Sequence, residues 1–122
     1  MTLLAVVVAG AIGASARYLV DGFVQDRVEG VFPWGTWAVN VSGSLALGFL
    51  TGLALYHGLS DAPKAVIGTG FVGAYTTFST FTYETVRLAE EGSRYEALLN
   101  AAASTTAALV AAAIGLALAG VV

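Results

Sequence analysis

One segment of the sequence concentrates hydroxyl groups, glycines and aromatic rings within a long run that carries no charge. It reads Gly70-Phe-Val-Gly-Ala-Tyr-Thr-Thr-Phe-Ser-Thr-Phe81. So many hydroxyls are not expected on a helix that is exposed to lipid. In addition, Gly73 followed by Thr76 and Thr77 favours a locally broken helix. Carbonyl groups freed at membrane depth persist where they line a cavity or bind an ion. The alternative is that the hydroxyls bond to their own helix and the small residues permit close packing.

Two phenylalanine rings and one carboxamide add groups that can contact an anion. Phe78 and Phe81 are three residues apart, so on a helix they share a face. Ring edges are electropositive, and edges directed into a pore can contact an anion without holding it tightly. Asn40 lies in a charge-free run, and its amide supplies two N–H donors. For both features the alternative is packing, with the rings in the core or against lipid and the amide bonded between helices.

Other polar residues extend the same pattern. Asn100, Ser104 and Thr105 mark one stripe on an alanine-rich segment, which predicts either a pore wall or a packing face. Arg17 is the one charge close to the interior of an apolar segment. Its side chain is expected to reach the membrane interface, to draw anions into a vestibule, or to bond to a neighbouring helix.

Charge-free runs predict the elements that position these residues. The chain has 122 residues, of which 57% are hydrophobic and 11% charged, whereas soluble domains carry about 25% charged residues. The runs 30–56, 65–83 and 97–122 contain no Asp, Glu, Lys or Arg, and each is long enough to cross a bilayer. Together with the first segment they predict one all-α transmembrane domain over residues 1–122. Its four helices are expected at about 3–20, 35–56, 64–83 and 96–120, with the third broken near its middle.

Composition excludes several classes of function. Four spans leave only short loops, so a soluble catalytic domain does not fit and no enzymatic activity is expected. The absence of cysteine and the single histidine exclude disulfides, iron–sulfur clusters and multi-histidine metal sites within one chain. A net charge of −3 excludes a basic surface for nucleic acid. Because the interiors of the predicted spans contain no acid, and Glu96 lies only at the edge of the fourth, passive permeation of an anion or neutral solute fits better than proton-coupled transport or an acid-lined cation channel.

Three segments, in the same order along the chain, resemble the CrcB/Fluc family of fluoride channels. They are Gly10-x-x-Gly-Ala-x-x-Arg-Tyr18, Gly35-Thr-x-x-Val-Asn-x-x-Gly43 and Gly70-x-x-Gly-x-x-Thr-Thr-Phe-Ser-Thr-Phe81. The resemblance extends over nearly the whole chain, and the Thr-Thr-Phe-Ser-Thr-Phe run is its most specific part. The chain length and the four predicted spans agree with the family as well.

The resemblance implies a fluoride-selective channel in the plasma membrane, which exports fluoride from the cytoplasm by passive electrodiffusion and so confers fluoride resistance. It also implies an antiparallel dimer with dual topology and two pores at the interface between the subunits. The pore residues that it implies are Asn40, Phe78, Phe81, Ser79 and Thr80, with Ser104 and Thr105 as further candidates for the pore wall.

The resemblance implies a single cofactor, a structural Na⁺ at the dimer interface, and no organic cofactor. Gly73 and Thr76 would offer their backbone carbonyls to this ion, which the partner subunit shares. Arg17 matches the arginine that ends the first helix in the family, where it serves a vestibule or a structural bond. The expected partners are therefore fluoride, membrane lipid and a second subunit, and not nucleic acid.

The distribution of basic residues departs from the family pattern. Arg27, Arg87 and Arg94 lie on one predicted side with Arg17 at its edge, against Lys64 alone on the side of the termini. This bias favours one orientation, with the termini outside. The chain is thus either a homodimer or one half of a heterodimer with an oppositely oriented paralogue. The residues alone also leave open an accessory or structural membrane subunit and a carrier of another small solute.

Overall fold

The computed structural model describes residues 1–122 and contains helices and connecting turns only. Three long helices account for most of the chain. The third predicted span is replaced by several shorter elements. The bounds in chain order are α1 Thr2–Gln25, α2 Trp34–His57, α3 Asp61–Lys64, the π-helical segment Ala65–Val72, α4 Gly73–Tyr75, α5 Ser79–Glu90 and α6 Arg94–Val121.

The prediction of an all-helical membrane protein is confirmed. By length and composition, three helices can cross a membrane, and they are Thr2–Gln25, Trp34–His57 and Arg94–Val121. Each offers lipid an apolar surface, since large apolar side chains remain exposed along all three. In water such exposure would be costly, whereas in a bilayer it is the expected surface of the protein.

Several helix boundaries differ from those predicted. The first helix does not end near residue 20 but continues to Gln25, because the apolar residues after Tyr18 extend the helical hydrogen bonding to Asp26. The third span, predicted at 64–83 with a break near its middle, has different bounds as well. Helical structure begins earlier, at Asp61, stops at Tyr75, resumes at Ser79 and runs past residue 83 to Glu90.

Proline and glycine mark two of the turns. Pro33 immediately precedes α2, where its missing N–H costs nothing because no helical acceptor is available there. Gly58 follows the end of α2 with φ +67° and donates its N–H to the carbonyl of Leu53. This left-handed conformation closes the helix and favours glycine, which has no Cβ to clash with the carbonyl.

Glycines bring the helices into backbone contact. The α2 and α6 helices form the most extensive pair. A Cβ added to Gly48 would lie 2.1 Å from the carbonyl oxygen of Ala112, and one added to Gly115 would lie 2.2 Å from that of Leu45. On the other side of the bundle, a Cβ on Gly13 of α1 would lie 2.2 Å from the carbonyl oxygen of Phe71. Small residues therefore set how closely these elements pack, as is common in membrane proteins.

Candidate functional site

A cavity of about 340 Å³ lies where α2 and α6 meet the segment between α4 and α5. Five of the predicted pore residues line it, while two others, Ser79 and Thr80, do not. Its lining contains amide, hydroxyl and aromatic groups but no Asp, Glu, Lys, Arg or His. The lining residues are Asn40, Gly43, Ser44, Leu47, Thr76, Thr77, Phe78, Phe81, Ser104, Thr105, Ala108 and Leu109.

Asn40 is bonded to the backbone where helical structure stops. Its Nδ2 donates to the carbonyl oxygen of Thr77 at 2.8 Å, and its Oδ1 accepts from the Thr77 N–H at 2.8 Å. The carboxamide thus replaces the helical partners that Thr77 lacks. Since the amide has two N–H bonds and one is used here, the other is available to the cavity. Asn40 therefore bonds to a neighbouring element and also lines the cavity. From the sequence, these two roles were alternatives.

The backbone changes direction at Thr76, which has φ −80° and ψ +162°, an extended conformation directly after the end of α4. Gly43 permits this path beside α2. A Cβ at Gly43 would lie 2.2 Å from Cγ2 of Thr76 and 3.3 Å from the ring of Tyr75. The glycine of the second motif therefore makes room for the segment that carries Thr76, Thr77 and Phe78.

The two phenylalanine rings adjoin each other at the cavity. Phe78 immediately precedes α5 and Phe81 lies in its first turn, with ring centroids 6.0 Å apart and planes inclined by 47°. The Phe78 side chain is 77% exposed in the single chain. The predicted shared face is therefore observed, and one ring of the pair projects from the surface beside the cavity.

Ser79 and Thr80 do not line the cavity that Phe78 and Phe81 line. The hydroxyl of Thr77 donates to that of Thr80 at 3.1 Å and accepts from the Thr80 N–H at 3.1 Å, while Ser79 Oγ lies 3.4 Å from Thr77 Oγ1. Thr80 lines a separate cavity of about 210 Å³ together with Arg17, Asp21 and Thr77. Successive residues of a helix point about 100° apart, so α5 cannot direct Ser79 and Thr80 to the side that Phe78 and Phe81 occupy.

Arg17 approaches the backbone from the side of this second cavity. Its Nη1 donates to the carbonyl oxygen of Thr76 at 3.5 Å, the outer limit for a hydrogen bond. Of the three expectations for this side chain, the structure shows the contact with a neighbouring element. The guanidinium also brings positive potential close to Thr76 and Thr77.

The polar residues of α6 differ in their surroundings. Ser104 is buried, and its hydroxyl donates to Asn100 Oδ1 at 2.9 Å. Asn100 is 1% exposed, and its Nδ2 donates to the Thr85 hydroxyl at 2.8 Å. Thr105 is exposed and donates to the carbonyl of Ala101 in its own helix. The stripe thus combines packing between α5 and α6 with residues of the cavity wall.

Comparison with known proteins identifies the chain. Residues 4–116 match the model of the family described as CrcB-like protein, Camphor Resistance (CrcB). The chain belongs to the CrcB-like family. The fluoride-specific ion channel FluC 1 of Leifsonia xyli subsp. xyli is 49% identical over 98% of this chain and 88% of the relative. That of Streptomyces avermitilis is 52% identical over 87% and 86%, respectively. The FluC channel of Geobacter sulfurreducens is 46% identical over 89% of both chains.

The motif resemblance seen in the sequence is therefore confirmed, and this CrcB-like chain is a multi-pass membrane protein whose named relatives are ion channels and not enzymes.

Two residues of structural importance were missing from the predicted pore set. Thr77 lines both cavities and bonds to Asn40 and Thr80. The Thr76-Thr77 pair in the third motif was the sequence signal that could have identified Thr77. Asn100 was recognised only as part of a stripe, because its bond to Thr85 depends on how α5 packs against α6.

Proposed function

We propose that the chain forms a fluoride-selective channel of the plasma membrane, which exports fluoride from the cytoplasm by passive electrodiffusion and confers fluoride resistance. The observation that carries this proposal is the composition of the cavity wall. In a chain whose relatives are named fluoride-specific channels, an amide, hydroxyls and phenylalanine rings meet at one cavity that is free of charged side chains. We assign Asn40, Phe78, Phe81, Ser104 and Thr105 to the ion path, with Ser79 and Thr80 as hydroxyls beside it.

Neutral donors suit fluoride because the ion is small and strongly hydrated. A pore must replace its water with N–H, O–H and ring-edge contacts at short range, while carboxylates would repel it and a lysine would retain it. Conduction requires binding that is strong enough for entry and weak enough for release. A lining without titratable side chains also argues against proton-coupled transport of another solute. An accessory subunit would not require an amide, hydroxyls and two aromatic rings to meet at one uncharged cavity.

Flux through reconstituted liposomes tests the proposal directly. Vesicles loaded with potassium fluoride and made permeable to K⁺ should release fluoride when the protein is present, as measured with a fluoride electrode. Vesicles loaded with potassium chloride should retain their anion. Protein that is correctly assembled but leaves fluoride trapped, or that moves a different solute instead, would overturn the proposal.

The site requires a second subunit in this proposal. Phe78 projects from the single chain beside the cavity, and four helices are too few to enclose a pore. We propose an antiparallel dimer with two pores at its interface, embedded in lipid. In each subunit the segments 61–75 and 79–90 form the third membrane crossing, broken near its middle. The partner is either an identical chain in dual topology or an oppositely oriented paralogue, and the bias of basic residues toward one side is the feature that raises the second alternative.

The backbone near Thr76 fits a structural Na⁺ shared by the two subunits. The Thr77 N–H, which a continuous helix would direct to the Gly73 carbonyl, donates to Asn40 instead. The Thr80 N–H, which would meet the Thr76 carbonyl, donates to Thr77 Oγ1. Both carbonyls thus lack helical partners, although that of Thr76 accepts the 3.5 Å contact from Arg17 Nη1. Unwound backbone carbonyls of this type hold Na⁺ in membrane proteins. When bound, the ion would supply positive potential near the anion path.

Light scattering of the detergent-solubilised protein tests dimer and ion together. In Na⁺ we expect the mass of two chains per particle. Replacing Na⁺ with choline, after extensive dialysis, should lower the thermal midpoint and shift the population toward one chain, since an ion that binds only the dimer stabilises it. A single chain per particle in Na⁺ contradicts the dimer. A dimer that is equally stable in choline contradicts the Na⁺ site.

A further inference from the structure

A chain of hydrogen bonds connects the cavity wall to the interior between α5 and α6. The Ser104 hydroxyl donates to Asn100 Oδ1 at 2.9 Å, and Asn100 Nδ2 donates to Thr85 Oγ1 at 2.8 Å. The Thr85 hydroxyl in turn donates to the carbonyl of Phe81 at 2.8 Å. Ser104 and Phe81, at the two ends of this chain, both line the cavity. Asn100, at its centre, is 1% exposed and makes no contact with the cavity itself.

The direction of these bonds decides what Ser104 offers to an ion. A hydroxyl has one proton and two lone pairs. As long as that proton is donated to Asn100, the serine presents only lone pairs to the cavity. Lone pairs repel an anion, so in this arrangement Ser104 cannot bind fluoride.

Rotation of the Asn100 amide by half a turn reverses its bonds to Ser104 and Thr85 without moving a helix, and the bond from Thr85 to the Phe81 carbonyl is then lost. Its nitrogen then donates to Ser104, and its oxygen accepts from the Thr85 hydroxyl. The Ser104 O–H is then free to point into the cavity, where it can donate a hydrogen bond to an anion. The carbonyl of Phe81 keeps its place in the helical ladder of α5 when the Thr85 hydroxyl turns away. Both arrangements leave each polar group of this buried chain with a partner, provided that an anion occupies the cavity in the second.

We propose that Asn100 is a positioning residue, which sets whether Ser104 presents a proton or a lone pair to the ion path. This inference rests on the proposed function and on the assignment of Ser104 to the pore. Without an ion, the first arrangement satisfies the serine. With an ion, the second supplies a donor, and the return of Asn100 to its first position lets the ion leave.

A double-mutant cycle on fluoride efflux tests this role. Asn100→Leu removes both polar groups of the amide, so Ser104 turns to the carbonyl of its own helix and no longer donates to the ion. We expect about a tenfold lower efflux rate for this variant, and a similar loss for Ser104→Ala. The double variant should be no slower than the slower of the two single variants. A residue that merely packs would instead reduce the rate by the same factor in both backgrounds.

Conservative changes at the far end of the chain keep the test decisive if Asn100→Leu fails to fold. Thr85→Val removes the acceptor of Asn100, and Thr85→Ser retains it. We expect the valine variant to lose several-fold in efflux and the serine variant to match the wild type. Thr82→Val serves as a control, because the exposed Thr82 hydroxyl bonds only to the carbonyl of Phe78 and lines neither cavity.

The outcomes separate this inference from the proposed function. Losses for Ser104→Ala and Asn100→Leu that multiply in the double variant overturn the role of Asn100 and leave the channel intact. Wild-type rates for Ser104→Ala overturn both the role of Asn100 and the place of Ser104 in the pore. Absence of fluoride efflux from the wild-type protein overturns the channel itself.

Discussion

Asn40→Asp is expected to reduce fluoride efflux roughly 100-fold or more while the protein still assembles. The substitution keeps the shape of the side chain and its acceptor for the Thr77 N–H, but it replaces the Nδ2 donor with a second oxygen. That oxygen faces the Thr77 carbonyl and the cavity. Two like charges 4 Å apart repel by about 4 kcal/mol at an effective dielectric constant of 20, which is ample to exclude an anion. Efflux from liposomes and the elution volume of the purified variant are the two measurements.

Gln25→Glu is the matched control for Asn40→Asp. It also converts an amide to an acid, and Gln25 Oε1 accepts from the Gly35 N–H in a bond that glutamate retains. Gln25 lies at the end of α1, away from the cavity, so its variant should conduct fluoride at close to the wild-type rate. If Asn40→Asp loses assembly while any assembled fraction conducts normally, Asn40 acts only in packing. Equal losses for both variants would point to net charge as the cause.

The long helices were predictable because they depend on composition along the chain. Runs without charge predicted α2 and α6 to within a few residues, since lipid requires apolar side chains and helical backbone regardless of tertiary contacts. Helix ends were less predictable. The first helix was expected to end at about residue 20, yet α1 continues to Gln25, because an interfacial aromatic residue such as Tyr18 marks a depth in the membrane and not a helix end.

The partners of the polar groups could not be predicted in the same way. The types of residue at the cavity could be predicted from the sequence, because amides and hydroxyls in apolar helices are costly unless they bind a partner. Their pairings depend on packing. Asn40 meets Thr77 across 37 positions, and Asn100 meets Thr85 across 15. Similarly, Ser79 and Thr80 adjoin Phe78 in the motif, but the rotation of α5 separates them from the cavity.

The glycines between α2 and α6 give the second prediction, that Gly48→Ala destabilises the fold by about 1 to 3 kcal/mol. The added methyl group would lie 2.1 Å from the carbonyl oxygen of Ala112 and 2.8 Å from its carbonyl carbon. Both atoms belong to the backbone of a helix, so no change of side-chain rotamer relieves the contact. The two helices must move apart along their length, which also loses the packing of Gly115 against the Leu45 carbonyl.

Two further glycines calibrate the measurement of Gly48→Ala. A Cβ at Gly68 would lie 3.0 Å from Cδ2 of Leu50, the end of a side chain that can shift, and a Cβ at Gly22 would meet nothing within 4 Å. Unfolding in detergent, followed by circular dichroism, should therefore rank Gly48→Ala as the least stable, then Gly68→Ala, with Gly22→Ala at or above the wild type. Similar midpoints for the three variants would show that backbone contact at Gly48 does not limit packing.

Separation of α2 from α6 also has a functional consequence that distinguishes this contact from general instability. Asn40 lies on α2 and Ser104 on α6, and the distance between the two helices sets the width of the cavity that both residues line. Fluoride contacts must be short to replace water, whereas chloride, the larger ion, tolerates a wider path. The fraction of Gly48→Ala that remains assembled should therefore conduct fluoride more slowly and discriminate less against chloride. Gly68 lies on a segment that carries neither Asn40 nor Ser104. Gly68→Ala should therefore keep the wild-type ratio of fluoride to chloride flux.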